Sequence, residues 1–279
     1  MKIVKKIVLA QIRDTRITKI EVHAPLIATK AKPGQFVVLM VEKKGERIPL
    51  TVVDTDKDKG IITLIFQELG LTTKLLGKLN VGDALYAVVG PMGHPTEIKN
   101  YGKIIIVGGG VGIAEIYPVA KTLKNAGNHI VTIIGARTKD LLILEDELKA
   151  ISDELHVVTD DGSYGKKGFT TDILKELLVR GPRSTVHGLV YAVGPIPMMK
   201  KVSSITKDFN VKTLVSLNAL MVDASGMCGC CRVSINNEVK FSCVDGPEFD
   251  AHSVDWEELE KRNKIYEKKE KEICKLYKL

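Results

Sequence analysis

The hydrophobic pattern of the chain changes its period near residue 100, and this change limits the possible folds more than any other feature. From Lys103 onward the apolar runs are KIIIVGGG, HIVTIIGAR, ELHVVTDD, GLVYAVGP and KTLVSL. Each is apolar at consecutive positions, and helical stretches such as LEDELKAI, TTDILKELLV and PMMKKVSSIT separate them. A strand that is apolar on both faces needs cover on both, which intervening helices supply, so a parallel-sheet α/β domain is expected here. Before residue 100 the runs are shorter and broken by Gly, Pro, Asp and Lys: KIVLAQ, ITKIEVHA, QFVVLMVE, LTVVD, IITLIFQ and ALYAVVGP. That alternation predicts a small antiparallel β-barrel.

The expected organisation is therefore a barrel over 1–100, an α/β domain over 101–217, a cysteine-bearing segment over 218–255 and a charged C-terminal helix over 256–279. The last stretch is charged nearly throughout, with Leu259, Tyr266 and Ile273 seven residues apart, which predicts a solvated helix with one narrow apolar stripe packed on its own domain. No run approaches the roughly 20 apolar residues of a membrane span, and Ile7–Ala10 is too short for a signal-peptide core. A cytoplasmic protein is expected, where clustered thiols stay reduced and serve as metal ligands. The net charge of +7 is scattered as Lys interleaved with acidic residues, and aromatic content is 5%. This argues against nucleic acid, whose footprint gathers charge on one face, and for docking an acidic redox partner.

Four of the five cysteines, Cys228, Cys230, Cys231 and Cys243, lie close together in NALMVDASGMCGCCRVSINNEVKFSCVDGP. Asp223-x4-Cys228-x2-Cys231-x11-Cys243 has the intervals of a plant-type [2Fe-2S] site with a carboxylate in place of the first thiolate. Asp223, Cys228, Cys231 and Cys243 are the candidate metal ligands. Gly226 and Gly229 free the backbone to curl between them. Cys230 is expected to be a free thiol, and Cys274 a packing residue of the tail. Structural zinc is the alternative, although zinc sites usually pair their ligands as two C-x2-C or Cys/His sets.

Gly108-Gly109-Gly110-Val111-Gly112 follows a strand and precedes a helix, the setting in which a glycine-rich turn binds phosphate. The third glycine of the dinucleotide fingerprint is missing, since Ile113-Ala114-Glu115 follows, and no acidic residue closes the second strand, which ends in Gly135-Ala136-Arg137-Thr138. Arg137 and Thr138 suit a 2′-phosphate but also occur at such strand ends without one. Asp160–Ser163 and Gly194–Pro197 each follow a strand and are placed to line the same crevice. In the first domain, Arg47-Ile48-Pro49-Leu50-Thr51 supplies a guanidinium fork beside a strand, and Gly70-Leu71-Thr72-Thr73 opens a helix with N–H and hydroxyl donors. Together they could cradle a flavin nucleotide.

The order of these parts resembles the ferredoxin-NADP reductase superfamily. Within it the chain is similar to the group containing the electron-transfer subunit of dihydroorotate dehydrogenase and the small (alpha) subunit of NADH-dependent ferredoxin:NADP oxidoreductase. PGQF (33–36), RIPLT (47–51), GLTT (70–73), GGGVGIA (108–114), DDGSYGKKG (160–168), YAVGP (191–195) and CVDGPEF (243–249) fall in the family's order. The resemblance implies FAD on Arg47, Pro49, Leu50, Thr51, Gly70, Thr72 and Thr73. It implies a nicotinamide nucleotide on Gly109, Gly110 and Gly112, with NADH favoured over NADPH. Glu115 stands where the family usually has Pro, and Asp223 in place of Cys is closer to the ferredoxin:NADP group than to the dihydroorotate group.

The implied function is an oxidoreductase subunit that passes electrons between NAD(H), FAD and a [2Fe-2S] cluster to a larger flavin and iron-sulfur partner, with electron bifurcation on the partner's flavin. A dihydroorotate or sulfide dehydrogenase subunit is the near alternative, and a zinc-containing nucleotide-binding module without redox activity the distant one. Hydride transfer to a flavin needs no acid or base from the protein, so no catalytic residue is expected, and His23, His94, His129, His156, His187 and His252 are read as ordinary surface or core residues.

Overall fold

The structure is a computed structural model that describes residues 1–180 and 187–276. Its first elements are β1 (Ile3–Ile12), β2 (Thr15–His23), α1 (Pro25–Lys30), β3 (Phe36–Met40), β4 (Ile48–Thr51), β5 (Asp54–Asp56), β6 (Ile61–Gln67), α2 (Leu71–Lys78) and β7 (Ala87–Met92). They form two antiparallel sheets, ordered β1-β2-β6-β5 and β4-β3-β7. Alternate residues of the strands meet in one core: Ile20 and Val22 of β2, Ile62, Leu64 and Phe66 of β6, Val37 and Leu39 of β3, and Val88 of β7, closed by Leu76 of α2. A period of two puts exactly one face of each strand inside, which is how short alternating runs close a barrel-like body.

The chain continues with β8 (Lys103–Gly109), α3 (Gly112–Asn125), β9 (His129–Ala136), α4 (Glu145–Ile151), β10 (Glu154–Thr159), β11 (Lys166–Lys167), α5 (Thr170–Arg180), β12 (His187–Val193), α6 (Ile196–Asp208) and β13 (Thr213–Ser216). The last elements are β14 (Arg232–Ile235), β15 (Glu238–Phe241), β16 (Glu248–Asp250), α7 (Trp256–Asn263) and α8 (Glu267–Leu276). One sheet is ordered β11-β10-β9-β8-β12-β13-β16. All its neighbouring strands are parallel except β16, which runs against β13. Ile104, Ile105, Ile106 and Val107 of β8 are fully buried, as expected of a central strand with helices on both faces. The chain winds outward from β8 to β9 and then returns to β12 on the other side, so the carboxyl ends of β8 and β12 border a switch-point crevice.

The chain divides into two compact units. One comprises Met1–Pro95, Asn218–Pro247 and Asp255–Leu279; the other comprises Thr96–Leu217 and Glu248–Val254. The cysteine segment 218–255 is shared between these two units. Its first part belongs with the barrel. Glu248–Val254 joins the parallel sheet because β16 pairs with β13 through Ser216↔Glu248, Val215↔Phe249 and Leu214↔Asp250. Pro95 is the last residue of the first stretch, and Thr96 is hydrogen-bonded to Glu248 in the second unit.

The expected tail helix is two helices. Asp255 caps α7 by accepting from the Glu258 N–H at 2.9 Å. Leu259 is buried, whereas Tyr266 and Ile273 are exposed, so the seven-residue stripe is covered at only one position. Among the described residues, no helix is long and apolar enough to cross a membrane.

Candidate functional site

The interval between the last two candidate metal ligands is one β-hairpin. Asn236 and Asn237 have φ of 50° and 64°, the left-handed pair that a two-residue type I′ turn requires. They join β14 to β15 in the register Arg232↔Phe241 to Ile235↔Glu238. The Ser242 N–H donates to the Cys231 carbonyl at 3.0 Å. Cys231 and Cys243 therefore meet at the base of the hairpin, both buried, with their Sγ atoms 3.1 Å apart.

Cys228 lies exposed on the preceding loop, which curls through positive φ at Ala224, Gly226 and Gly229. Backbone N–H groups of Cys230 and Asp223 are directed at Cys228 and that of Gly226 at Cys243. The Cys230 N–H bond is the main reason the Cys228 thiol titrates below its ordinary value. Burial, reinforced by the Cys231 thiol, pushes Cys243 up to about 12. The Asp223 carboxylate accepts from the Ser225 hydroxyl.

The four candidates thus form two sets, the touching Cys231–Cys243 pair and the Cys228 loop that begins at Asp223. Among the described residues, no three His, Cys, Asp or Glu side chains converge as a metal site. Thiols supplied with backbone N–H donors are nonetheless the chemistry an iron-sulfur cluster uses, and these residues fit one. The Cys230 thiol donates to Cys228. Cys274 is half-buried on α8.

At the switch point, three glycines are explained by close approach. A Cβ on Gly112 would lie 2.5 Å from the Val193 carbonyl oxygen, on Gly109 2.5 Å from Met198 Sδ, and on Gly108 2.7 Å from Ile116 Cδ1. Gly110 differs: its φ is +58° and the space beside it is open. Its N–H donates to the Gly135 carbonyl at 2.9 Å, tying the turn to β9. After β9, Thr138 has a buried Oγ1 with no hydrogen-bond partner among the described residues. The Lys139 N–H donates to Ser163 Oγ at 2.9 Å, and that hydroxyl donates to Asp161 at 2.7 Å, joining the loops after β9 and β10. An open glycine turn and an orphaned hydroxyl fit a nucleotide.

The proposed flavin residues are also brought together. β4 is an edge strand on β3, half-buried along its length, with Pro49 opposite Val38 and Thr51 opposite Phe36. An edge position suits Pro, which has no N–H to donate. Arg47 is exposed just before it. Thr72 Oγ1 donates to Glu46 at 2.7 Å and so ties the start of α2 to the Arg47 segment. Thr73 Oγ1 accepts from the N–H groups of Leu69 and Gly70 at 3.0 and 3.1 Å. A side chain at Gly70 would collide with the Glu270 carboxylate, so an anionic group already lies at the N-terminal end of α2. That turn fits a phosphate.

The sequence reading passed over a buried polar cluster in the second unit. Tyr191, fully buried in β12, donates to Glu248 at 2.8 Å, and Thr96 donates to the same oxygen at 2.5 Å. The Tyr in YAVGP, a polar ring amid apolar residues, was the available signal. Burial raises the Glu248 carboxyl above its ordinary 4.5. The folded state therefore holds this proton more tightly than the unfolded state, and stability falls as pH rises from about 4.5 through the raised value. Glu248→Gln keeps an acceptor for both hydroxyls. It is expected to melt a few degrees above the native protein at pH 7, with the difference vanishing at acid pH. Melts from pH 4 to 8 that run parallel for the two proteins would show that the carboxyl carries no such penalty.

Among the described residues, no three His, Cys, Asp or Glu side chains that include a histidine gather as a metal site. His129 and His156 lie beside Glu154, and His252 hydrogen-bonds Thr206. The His187 side chain lies outside the described residues.

Two family descriptions match the chain: the iron-sulfur cluster binding domain of dihydroorotate dehydrogenase B over residues 218–255, and the oxidoreductase NAD-binding domain over residues 106–204. A Thermotoga maritima protein described as a dihydroorotate dehydrogenase B (NAD(+)) electron transfer subunit homolog is 49% identical over 270 residues, 97% of this chain and 93% of that one. A probable electron transfer subunit of the same enzyme from Methanopyrus kandleri is 34% identical over 218 residues, 78% of this chain and 79% of that one. A chain solved in a study of flavin-based electron bifurcation by NADH-dependent reduced ferredoxin-NADP oxidoreductase superimposes with a TM-score of 0.90 at 47% identity, covering 100% of this chain and 98% of that one.

Proposed function

The chain belongs to the family of dihydroorotate dehydrogenase B electron-transfer subunits, and from that premise we propose that it serves as the NAD(H)-linked subunit of an NADH-dependent ferredoxin:NADP oxidoreductase. It is an oxidoreductase subunit that passes electrons between NAD(H), FAD and a [2Fe-2S] cluster to a larger partner subunit. The observation that carries the specific assignment is the likeness over the whole chain, at a TM-score of 0.90, to a chain of that enzyme. Asp223 in the first ligand position agrees with it.

Each part of the chain has a distinct task. Arg47, Pro49, Leu50 and Thr51, with Gly70, Thr72 and Thr73, would hold FAD, the guanidinium and the N–H groups at the start of α2 supplying donors for its phosphates. Gly109, Gly110 and Gly112 admit the nicotinamide nucleotide, and the Thr138 hydroxyl is a donor that the bound nucleotide can satisfy. Asp223, Cys228, Cys231 and Cys243 ligate the cluster. A flavin accepts electrons in pairs and releases them singly, which a hydride donor and a one-electron cluster require between them. No side chain has to move a proton for this. Thiols that must stay reduced suit the cytoplasm, the compartment proposed here.

Anaerobically purified protein is expected to contain two irons, two sulfides and one FAD, to give a [2Fe-2S] EPR signal on reduction, and to co-purify from its host with a larger flavin and iron-sulfur subunit. Co-purification with a dihydroorotate- or sulfide-oxidising subunit would move it to that branch of the family. One zinc and no flavin would remove the redox reading.

A further inference from the structure

Helix α7 lies beyond residues 218–255, the extent of the iron-sulfur domain match, yet it is fastened to the cysteine segment at several points. Arg262 Nη2 donates to the Cys230 carbonyl at 3.0 Å. Asn263 Nδ2 donates to the Asn218 carbonyl at 2.9 Å, and its Oδ1 accepts from the Leu220 N–H at 3.1 Å. At the other end of the helix, the Asp255 N–H donates to the Ser234 carbonyl in β14 at 2.9 Å. The last turn of α7 thus grips both the start of the segment and the peptide between Cys230 and Cys231. Arg262 is held in place by these bonds, and its Nε–H is buried with no acceptor among the described residues. A partly buried, incompletely paired guanidinium is costly unless negative charge lies nearby.

We propose that Arg262 is a positioning residue that sets the reduction potential of the iron-sulfur cluster by fixing a permanent positive charge beside the Cys230–Cys231 turn. This rests on the reading of Asp223, Cys228, Cys231 and Cys243 as its ligands. Reduction adds one negative charge to the cluster, so a nearby fixed cation stabilises the reduced form more than the oxidised one and raises the potential. Asn263 supplies the mechanical grip without charge.

The test is an EPR-monitored redox titration of the full chain, purified anaerobically with its cluster, together with its iron and sulfide content. Arg262→Gln is expected to lower the equilibrium constant for reduction by on the order of tenfold, which for a one-electron couple is a fall of about 59 mV. Arg262→Lys keeps the charge and is expected to stay near the native potential. Asn263→Ala loosens the grip and is expected to lower cluster content without moving the potential. An Arg262→Gln protein that loses its cluster while Arg262→Lys retains one at the native potential also supports the role of the charge. Arg262→Gln at the native potential overturns the proposal. So does Arg262→Lys that is shifted as far as Gln or equally empty, or Asn263→Ala shifted as far as Arg262→Gln. Native protein without iron, sulfide or EPR signal would instead overturn the ligand assignment itself.

Discussion

Cys231→Ser is expected to leave the protein without iron or sulfide and without a reduced EPR signal, while its FAD content stays native. The Cys231 and Cys243 sulfurs sit 3.1 Å apart at the base of a hairpin, so removing one takes away half of the buried pair proposed as ligands. The hairpin itself should survive, because its Asn236–Asn237 turn and its strand register do not depend on the thiol. Electron delivery to the partner subunit would fall to background, whereas NADH-driven reduction of a dye that takes electrons from the flavin would persist, since β4 and α2 are untouched. Iron, sulfide and flavin analyses with the two activity assays decide the matter. Two irons in Cys231→Ser would mean that Cys230, whose thiol donates a hydrogen bond to Cys228, takes over the ligand position. The companion variant Asp223→Cys is expected to keep a cluster with a shifted potential; unchanged spectra and potential would remove Asp223 from the ligand set.

Gly112→Ala is expected to have the opposite selectivity, with NADH oxidation strongly impaired and FAD and cluster content retained. A methyl group there would lie 2.5 Å from the Val193 carbonyl oxygen and 2.9 Å from Gly194 Cα, both backbone atoms that cannot rotate away. Relieving the clash requires α3 to shift from the end of β12. Overpacking of this kind costs about 1–3 kcal/mol, and a displacement of about 1 Å at the nucleotide turn is enough for a roughly hundredfold fall in kcat/KM for NADH. Gly110→Ala is the control. It is strained by its φ of +58° but meets no neighbour within 4 Å, so it should bind NADH far better than Gly112→Ala. Equal loss in the two variants would show that backbone conformation, not close packing at β12, governs the site.

The parts of this fold that announce themselves in the sequence are those whose signal is local. KIIIVGGGVG reads as a central strand and turn because burial on both faces leaves a continuous apolar run. The Asp223 and Cys228 spacing, the basis of the proposed ligand set, stands out because the loop between them is short. What depends on distant pairing was not legible. β16 is three residues long, and its place beside β13 is set by Ser216↔Glu248 pairing across the whole cysteine segment. That pairing also divides the segment between two units. The Tyr191–Glu248 hydrogen bond spans 57 positions, so neither residue predicts the other. The tail misled because its seven-residue repeat suggested one continuous face, whereas the chain breaks between α7 and α8 and buries only Leu259.

The hairpin between Cys231 and Cys243 carries a rule about which lengths evolution or an engineer can choose. Residues added in matched pairs, one to each strand, move the Asn-Asn tip outward and leave the two sulfurs where they were. A single added residue slips the register and turns one cysteine to the opposite face unless a bulge absorbs it. The separation of this cysteine pair should therefore vary among related chains in steps of two, and a tag or probe inserted symmetrically at the tip should be silent at the metal.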